Sequence, residues 1–242
     1  MLRRIGVLGD VHAEDRRLAA ALEWIHGRSV DAVICTGDVA DGPGSVDLCC
    51  HLLEQAGVAT VRGNHDRWLL SDRVRHIPDA HHLHEIGDAA RDFLERLPST
   101  LRFDTAAGSL LLCHGVSEND MRKVWPGTKR MPVERSPELD DLLAENETRI
   151  VVNGHMHYRV LVDFPEALLV NAGTLAARHR PGISVLDLEQ GVAVAHEFTG
   201  DRVGPQVAEH PIAPARGRRV WRDTQEFDGT WTPVALYGAT RE

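Results

Sequence analysis

Five short polar clusters punctuate this chain, each just after an apolar run: Asp10-Val11-His12, Gly37-Asp38, Gly63-Asn64-His65-Asp66, His114-Gly115 and Gly154-His155-Met156-His157. Asp10, His12, Asp38, Asn64, His114, His155 and His157 together offer seven oxygen and imidazole donors. Taken singly, each has a plainer role, since an aspartate caps a following helix and a histidine at a strand end makes surface hydrogen bonds. Seven of them converging on one edge would repel or stay underused unless cations compensated them. Imidazole mixed with oxygen suits Mn, Fe, Zn, Co or Ni better than Ca or Mg. Two such ions held close together acidify a water and clamp a phosphoryl oxygen, and they need a shared anion, for which Asp38 stands in the middle of the order.

The elements that must position these donors follow from the runs before them. Ile5-Gly6-Val7-Leu8, Ala32-Val33-Ile34-Cys35, Leu110-Leu111-Leu112-Cys113 and Ile150-Val151-Val152 read as buried strands. Leu18, Ala21, Leu22 and Ile25 give helical spacing to Asp15–His26, and Val46–Gln55 reads as a helix closed by Gly57, before a strand over 58–61. Strand and helix in alternation with short links imply a parallel sheet with right-handed crossovers. Ligands of such sheets bind at the carboxyl ends of the strands, where the clusters sit. From Asp66 to Leu97 the pattern loosens, with His81, His82 and His84 read as a solvated loop before a helix at 88–96. After Pro98, residues 100–103 and 109–113 look like hairpin strands that start a second sheet.

In this order the clusters resemble the signature of the calcineurin-like metallophosphoesterase superfamily: Asp-x-His, Gly-Asp-x-x-Asp, Gly-Asn-His-Asp/Glu, His and Gly-His-x-His, spanning residues 5–174. The resemblance implies an α/β fold, a four-layer α-β-β-α sandwich of two mixed β-sheets flanked by helices. It implies a dinuclear centre of two divalent transition-metal ions, with a bridging hydroxide that hydrolyses a phosphate ester. Asp38 would be the shared carboxylate, with Asp10, His12 and His157 completing one site and Asn64, His114 and His155 the other. His65 would reach the substrate rather than the metal and protonate the leaving oxygen, with Asp66 fixing its orientation. Asn171-Ala172-Gly173-Thr174 resembles the Asn-Pro-Gly-Ser turn of the smaller bacterial phosphodiesterase-like members, and it also reads as an ordinary turn with Gly173 at positive φ.

Two departures from the pattern bear on substrate. Ala13 stands where many members have Gly, and Asp38-Val39-Ala40-Asp41-Gly42 lacks the Arg that the phosphoprotein phosphatases carry after the second Asp. Without that guanidinium a dianionic monoester loses a clamp, which favours a phosphodiester. Arg67 and Arg159, each beside a motif, are the candidates to bind substrate in its place. The alternatives are a phosphomonoesterase, a dinucleoside polyphosphate hydrolase, or a non-catalytic binding scaffold of the same fold, for which an unbroken ligand set and His65 would have no use.

Composition sets the wider frame. The 242 residues, 43% hydrophobic, suit one domain with a sizeable core, with residues 200–242 as a C-terminal arm whose prolines 205, 211 and 214 suggest a linker over 200–219. Trp221 and Trp231 lie in a tail that periodicity does not place. A net charge of −9 without a Lys/Arg block argues against non-specific binding to nucleic acid or to anionic membranes. Cys35, Cys49, Cys50 and Cys113 form no Cys-x-x-Cys pair and read as buried free thiols of a reducing compartment. Met1-Leu2-Arg3-Arg4 runs straight into the first strand, so a cytoplasmic protein acting on a small phosphate ester is expected. The loop at 115–135, which includes Trp125-Pro126-Gly127, is expected to wall the substrate site.

Overall fold

The computed structural model describes residues 1–124, 134–212, 220–226 and 234–238. The first half alternates as the periodicity requires: β1 (Arg4–Leu8), α1 (Asp15–His26), β2 (Ala32–Cys35), α2 (Val46–Gln55), β3 (Ala59–Thr60), α3 (Asn64–Leu70) and α4 (Asp88–Arg96). There follow β4 (Thr100–Thr105), β5 (Gly108–Cys113), α5 (Pro137–Glu145), β6 (Ile150–Asn153), β7 (Arg159–Asp163) and β8 (Leu168–Ala172). The last strands are β9 (Gly182–Asp187), β10 (Val192–Thr199), β11 (Arg202–Pro211) and β12 (Val234–Ala235).

Two six-stranded sheets result, ordered β11-β10-β9-β1-β2-β3 and β12-β7-β8-β6-β5-β4. Both are mixed: β1, β2 and β3 run parallel, as do β5, β6 and β8, while the remaining pairs are antiparallel. The apolar strand runs are continuous because each strand has two buried faces. In β5, Leu110 and Leu112 point between the sheets to meet Ile5, Val7 and Ile34, while Leu111 and Cys113 point outward to Leu139, Leu142 and Leu143 of α5. That period of two is the pleat of a strand read from both sides. On the other outer face, α1, α2 and α4 lay Leu18, Ile25, Leu53, Phe93 and Leu94 over the first sheet. This is the four-layer sandwich expected from the sequence. Among the described residues, no helix is long and apolar enough to cross a membrane, and all four cysteines are buried and free.

The structure differs from the sequence reading in three places. Helix α3 runs over Asn64–Leu70, into the stretch from Asp66 where the pattern loosens, and Asp66 at its third position accepts the Gly63 amide in the manner of a capping residue. The expected linker over 200–219 is, in its first half, the strand β11 hydrogen-bonded to β10. Pro205 and Pro211 are tolerated there because β11 is an edge strand and owes no amide to a further neighbour. The tail returns to the body: Trp221 is 1% exposed among Leu111, Leu143 and Phe164, and β12 pairs with β7. Trp231 and Trp125-Pro126-Gly127 lie outside the described residues.

Candidate metal centre

All five clusters meet at the carboxyl ends of β1, β2, β3, β5 and β6. The backbone there is bent hard. His12 (φ 49°), Asp38 (φ 44°), His155 (φ 64°) and His157 (φ 59°) all occupy the left-handed region, which costs a non-glycine residue on the order of 1–3 kcal/mol. Four of the seven donor candidates thus sit on left-handed backbone, which other loops of the chain also use, as at Asp72 and Asn146. Two glycines make the approach possible. A Cβ on Gly63 would run into the Asp38 carboxylate, and one on Gly154 into the Asp10 carboxylate and the Thr36 hydroxyl.

Two donor groups result, sharing one carboxylate: Asp10, His12, Asp38 and His157, whose ligand atoms lie within 4.8 Å of one another, and Asp38, His114 and His155 on the same criterion. Asn64 joins the second group, its Oδ1 2.9 Å from His114 Nε2. The rings are aimed from behind. His12 Nδ1 donates to Asp41 O (3.0 Å) and His114 Nδ1 to Thr36 O (2.8 Å), which leaves each Nε2 as a lone pair facing inward. His12 Nε2 then stands 2.9 Å from His157 Nε2, and His114 Nε2 the same distance from an amide oxygen. With both rings neutral, His114 Nε2 faces an acceptor oxygen, and the two ring nitrogens of the His12–His157 contact share at most one proton between them unless a ring is charged. Among the described residues, the buried His155 Nε2 has no hydrogen-bond partner. A cation in each group satisfies these atoms together, so the residues fit divalent metal.

The charge balance points the same way. Burial pushes the Asp38 carboxyl up, but His114, His65 and His12 around it outweigh burial and hold it far below the ordinary range. Burial likewise opposes charge on His114, yet Asp38 and Asp10 raise it to about 10. His155 falls to about 4, from burial first and the neighbouring His114 charge second. Without an ion, the positive charge these carboxylates demand is a proton on His114; a divalent cation is the alternative supply.

The second layer holds the ligands. Asp10 accepts from Thr36 Oγ1 (2.7 Å) and from the His155 amide (2.8 Å). The Asn171–Thr174 turn buttresses the same loops: Asn171 Nδ2 donates to Gly154 O, Thr174 Oγ1 to Asp10 O, and Gly173 sits at φ 75° as expected. Gly154→Ala is therefore expected to keep the fold and displace the Asp10 carboxylate. Metal affinity should fall at least the roughly 10–100-fold typical of disturbed ligand support; titration of the variant with Mn(II) giving wild-type affinity would refute this.

His65 lies beside both groups, its Nε2 4.0 Å from Asp38 Oδ2, and is absent from either. Its orienting partner is not Asp66. His65 Nδ1 bonds to Asp41 Oδ2 at 2.7 Å. Asp66 instead accepts from the Gly63 and Ala40 amides, stitching the second and third clusters together, and burial followed by the Asp38 charge raises its carboxyl to about 7. A helix start turns the Asp66 side chain back toward the helix's own amides, away from the adjacent ring. Asp41 is in turn gripped by Arg75, whose Nη1 and Nη2 reach its two oxygens at 2.8 and 3.0 Å. The spacing Asp38-Val39-Ala40-Asp41 was the available signal for Asp41; Arg75, 34 residues on, had none.

Of the two arginines expected at the substrate, Arg159 is sequestered and Arg67 is partly engaged by a carboxylate. Arg159 is fully buried, pointing to His196 O and Glu197 between the last strands, because β7 directs it inward under Gly173 and Gly182. Arg67 remains near His114 but is held by Asp120 through two bonds of 2.6 and 2.8 Å. His81, His82 and His84 join neither donor group. Sequence reasoning passed over His179, whose ring meets His157 edge-on with centroids 4.8 Å apart.

Comparison with known proteins agrees with this geometry. Residues 3–191 match the calcineurin-like phosphoesterase superfamily domain. No curated protein matches by sequence. Among solved structures, a metallophosphoesterase from Sphaerobacter thermophilus is 18% identical with a TM-score of 0.61, covering 82% of this chain and 89% of its own. A novel archaeal phosphodiesterase is 18% identical (TM-score 0.53, covering 81% and 99%), and Yfce, a phosphoesterase from E. coli, 15% identical (TM-score 0.52, covering 86% and 99%). At such identities the likeness is one of fold, whereas the domain match spans most of the chain and falls on the residues that build the two donor groups. The chain belongs to the calcineurin-like phosphoesterase superfamily, hydrolases that act on phosphate ester bonds and use divalent metals.

Proposed function

We propose that this chain hydrolyses a phosphodiester at a centre of two divalent transition-metal ions, one held by Asp10, His12, Asp38 and His157 and the other by Asp38, Asn64, His114 and His155. The observation that carries the reading is the pair of donor groups sharing Asp38, with the buried His155 Nε2 unpartnered among the described residues. Ions bound there would acidify an attacking water and take up phosphoryl charge. The chain's own contribution beyond binding is His65. Its Nδ1 is engaged by Asp41, so Nε2 is the atom left to face the substrate. Burial opposes a proton on this ring, but the Asp41 bond and the Asp38 charge raise its pKa above the ordinary histidine value. A protonated His65 could hand Nε2–H to the leaving oxygen.

The choice of a diester rests on the arginine that is absent after Asp41. Gly42 stands where a guanidinium would clamp a dianion, Arg159 is buried, and Arg67 already pairs with Asp120. A diester carries one charge fewer at phosphorus and needs no such clamp. The similar archaeal protein described as a phosphodiesterase is consistent with this reading. The test is a panel of aryl phosphodiesters, monoesters, cyclic nucleotides and dinucleoside polyphosphates assayed with Mn, Ni, Zn and Mg. Faster turnover of the aryl diester than of its monoester under the same metal is expected; the reverse order would overturn the diester assignment.

A further inference from the structure

The arginines around the metal groups divide by partner. Arg17 pairs with Glu14 and Asp201, Arg67 with Asp120, Arg75 with Asp41 and Arg159 with Glu197. Arg62, half-buried beside His114, has no carboxylate partner among the described residues, and neither have Arg178 and Arg180, both exposed. Arg178 and Arg180 flank His179, and that ring lies directly on the metal-ligand candidate His157. In a chain of net charge −9, the turn that carries these two arginines meets the rim of the site through His179.

Their position is fixed rather than loose. The Ala176 amide donates to Thr174 Oγ1 (3.0 Å), the same hydroxyl that binds Asp10 O, and the Gly182 amide closes the turn on Thr174 O (3.2 Å). Ala177 N donates to Glu14 Oε1 (2.9 Å), and that carboxylate also holds Arg17, so it is not available to Arg178. Arg180 takes φ 51° and lays its guanidinium over the Tyr237 ring, 5.3 Å from the centroid. Tyr237 is itself anchored, its hydroxyl accepting from the Arg159 amide. A left-handed residue and a ring contact thus set the direction of an otherwise mobile side chain.

We propose that the Arg178-His179-Arg180 turn is the wall that receives the non-reacting arm of the substrate, and that it selects a diester whose arm carries negative charge. This rests on the phosphodiesterase reading of the adjoining metal groups. The two arginines supply charge away from the reacting phosphorus, so they add affinity for an anionic arm without acting as a monoester clamp. His179 presents its ring beside them as a hydrogen-bonding contact.

A matched pair of substrates tests it: ethyl p-nitrophenyl phosphate and 2-carboxyethyl p-nitrophenyl phosphate, which share a leaving group and differ by one charge on the arm. With the full Mn(II)-loaded chain, KM for the carboxyethyl ester should be lower by roughly 5-fold, the upper end for an exposed ion pair. Arg178→Ala with Arg180→Ala should erase that difference, leaving metal content and kcat on the ethyl ester unchanged, and the double lysine variant should restore most of it. Equal KM values in the wild type, or a preference that survives the double alanine variant, would overturn the proposal while the hydrolase reading stands. If the wild type cleaves neither ester, the phosphodiesterase reading fails by itself. The phosphonate analogues, titrated calorimetrically into the Mn(II)-loaded protein, then decide the turn: a carboxylate preference lost in the double variant supports it, and no preference overturns it.

Discussion

Asp38→Ala protein is expected to fold, to retain neither ion of a pair, and to turn over no phosphate ester above background. Asp38 Oδ2 lies 3.3 Å from His114 Nε2 and 3.9 Å from His12 Nε2, so it is the carboxylate common to both donor groups. Removing any other candidate ligand leaves one group intact; removing Asp38 opens both. The expected loss of metal affinity exceeds the roughly 10–100-fold that follows from losing an outer support of a ligand. The fold should survive because the two sheets are held by apolar clusters in which Asp38 takes no part. Metal analysis after equilibration with Mn(II), alongside circular dichroism, checks both halves. Two ions per folded Asp38→Ala chain, or activity within tenfold of wild type, would show that Asp38 is not the shared ligand.

The same residue shows why so much of the site was legible. Each donor lies within a few residues of the strand that carries it, so an apolar run followed by Asp-x-His or Gly-His-x-His encodes both the element and its terminal chemistry locally. What escaped was set by distance in the chain. Asp41 bonds to His65 across 24 residues, Arg75 reaches Asp41 across 34, and Thr36 supports His114 across 78. None of these contacts leaves a period or spacing to read. The errors have the same origin. Arg159 lies beside a metal-binding motif in sequence, but its side chain is turned into the interior under Gly173 and Gly182. Pro205 and Pro211 signal a break everywhere except on a sheet edge, and which strand is the edge is a property of the whole sheet order.

The second large effect separates proton transfer from metal binding within one short segment. His65→Ala is expected to keep both ions, since His65 belongs to neither donor group, and to slow turnover by roughly the 10²–10⁴-fold typical of a lost general acid. The loss should be greatest for alkyl leaving groups, which need the proton most, and small for activated aryl esters. Asn64→Ala, one residue earlier, should instead lower metal occupancy and slow every substrate alike, because its Oδ1 faces His114 Nε2 within the second group. Asp41→Asn completes the comparison. It removes the charge that binds His65 Nδ1 but touches the metal groups only through the Asp41 carbonyl, which the substitution keeps. It should therefore share the leaving-group dependence of His65→Ala to a smaller degree, whereas Asp66→Asn, whose side chain meets backbone amides alone, should show none. Plots of log kcat against leaving-group pKa for the four variants, with metal content measured on the same samples, decide the assignment. A flat response in His65→Ala, or metal loss equal to that of Asn64→Ala, would remove His65 from the acid role; a leaving-group effect in Asp66→Asn matching that of Asp41→Asn would show that the hydrogen bond to Asp41 is not what orients the ring.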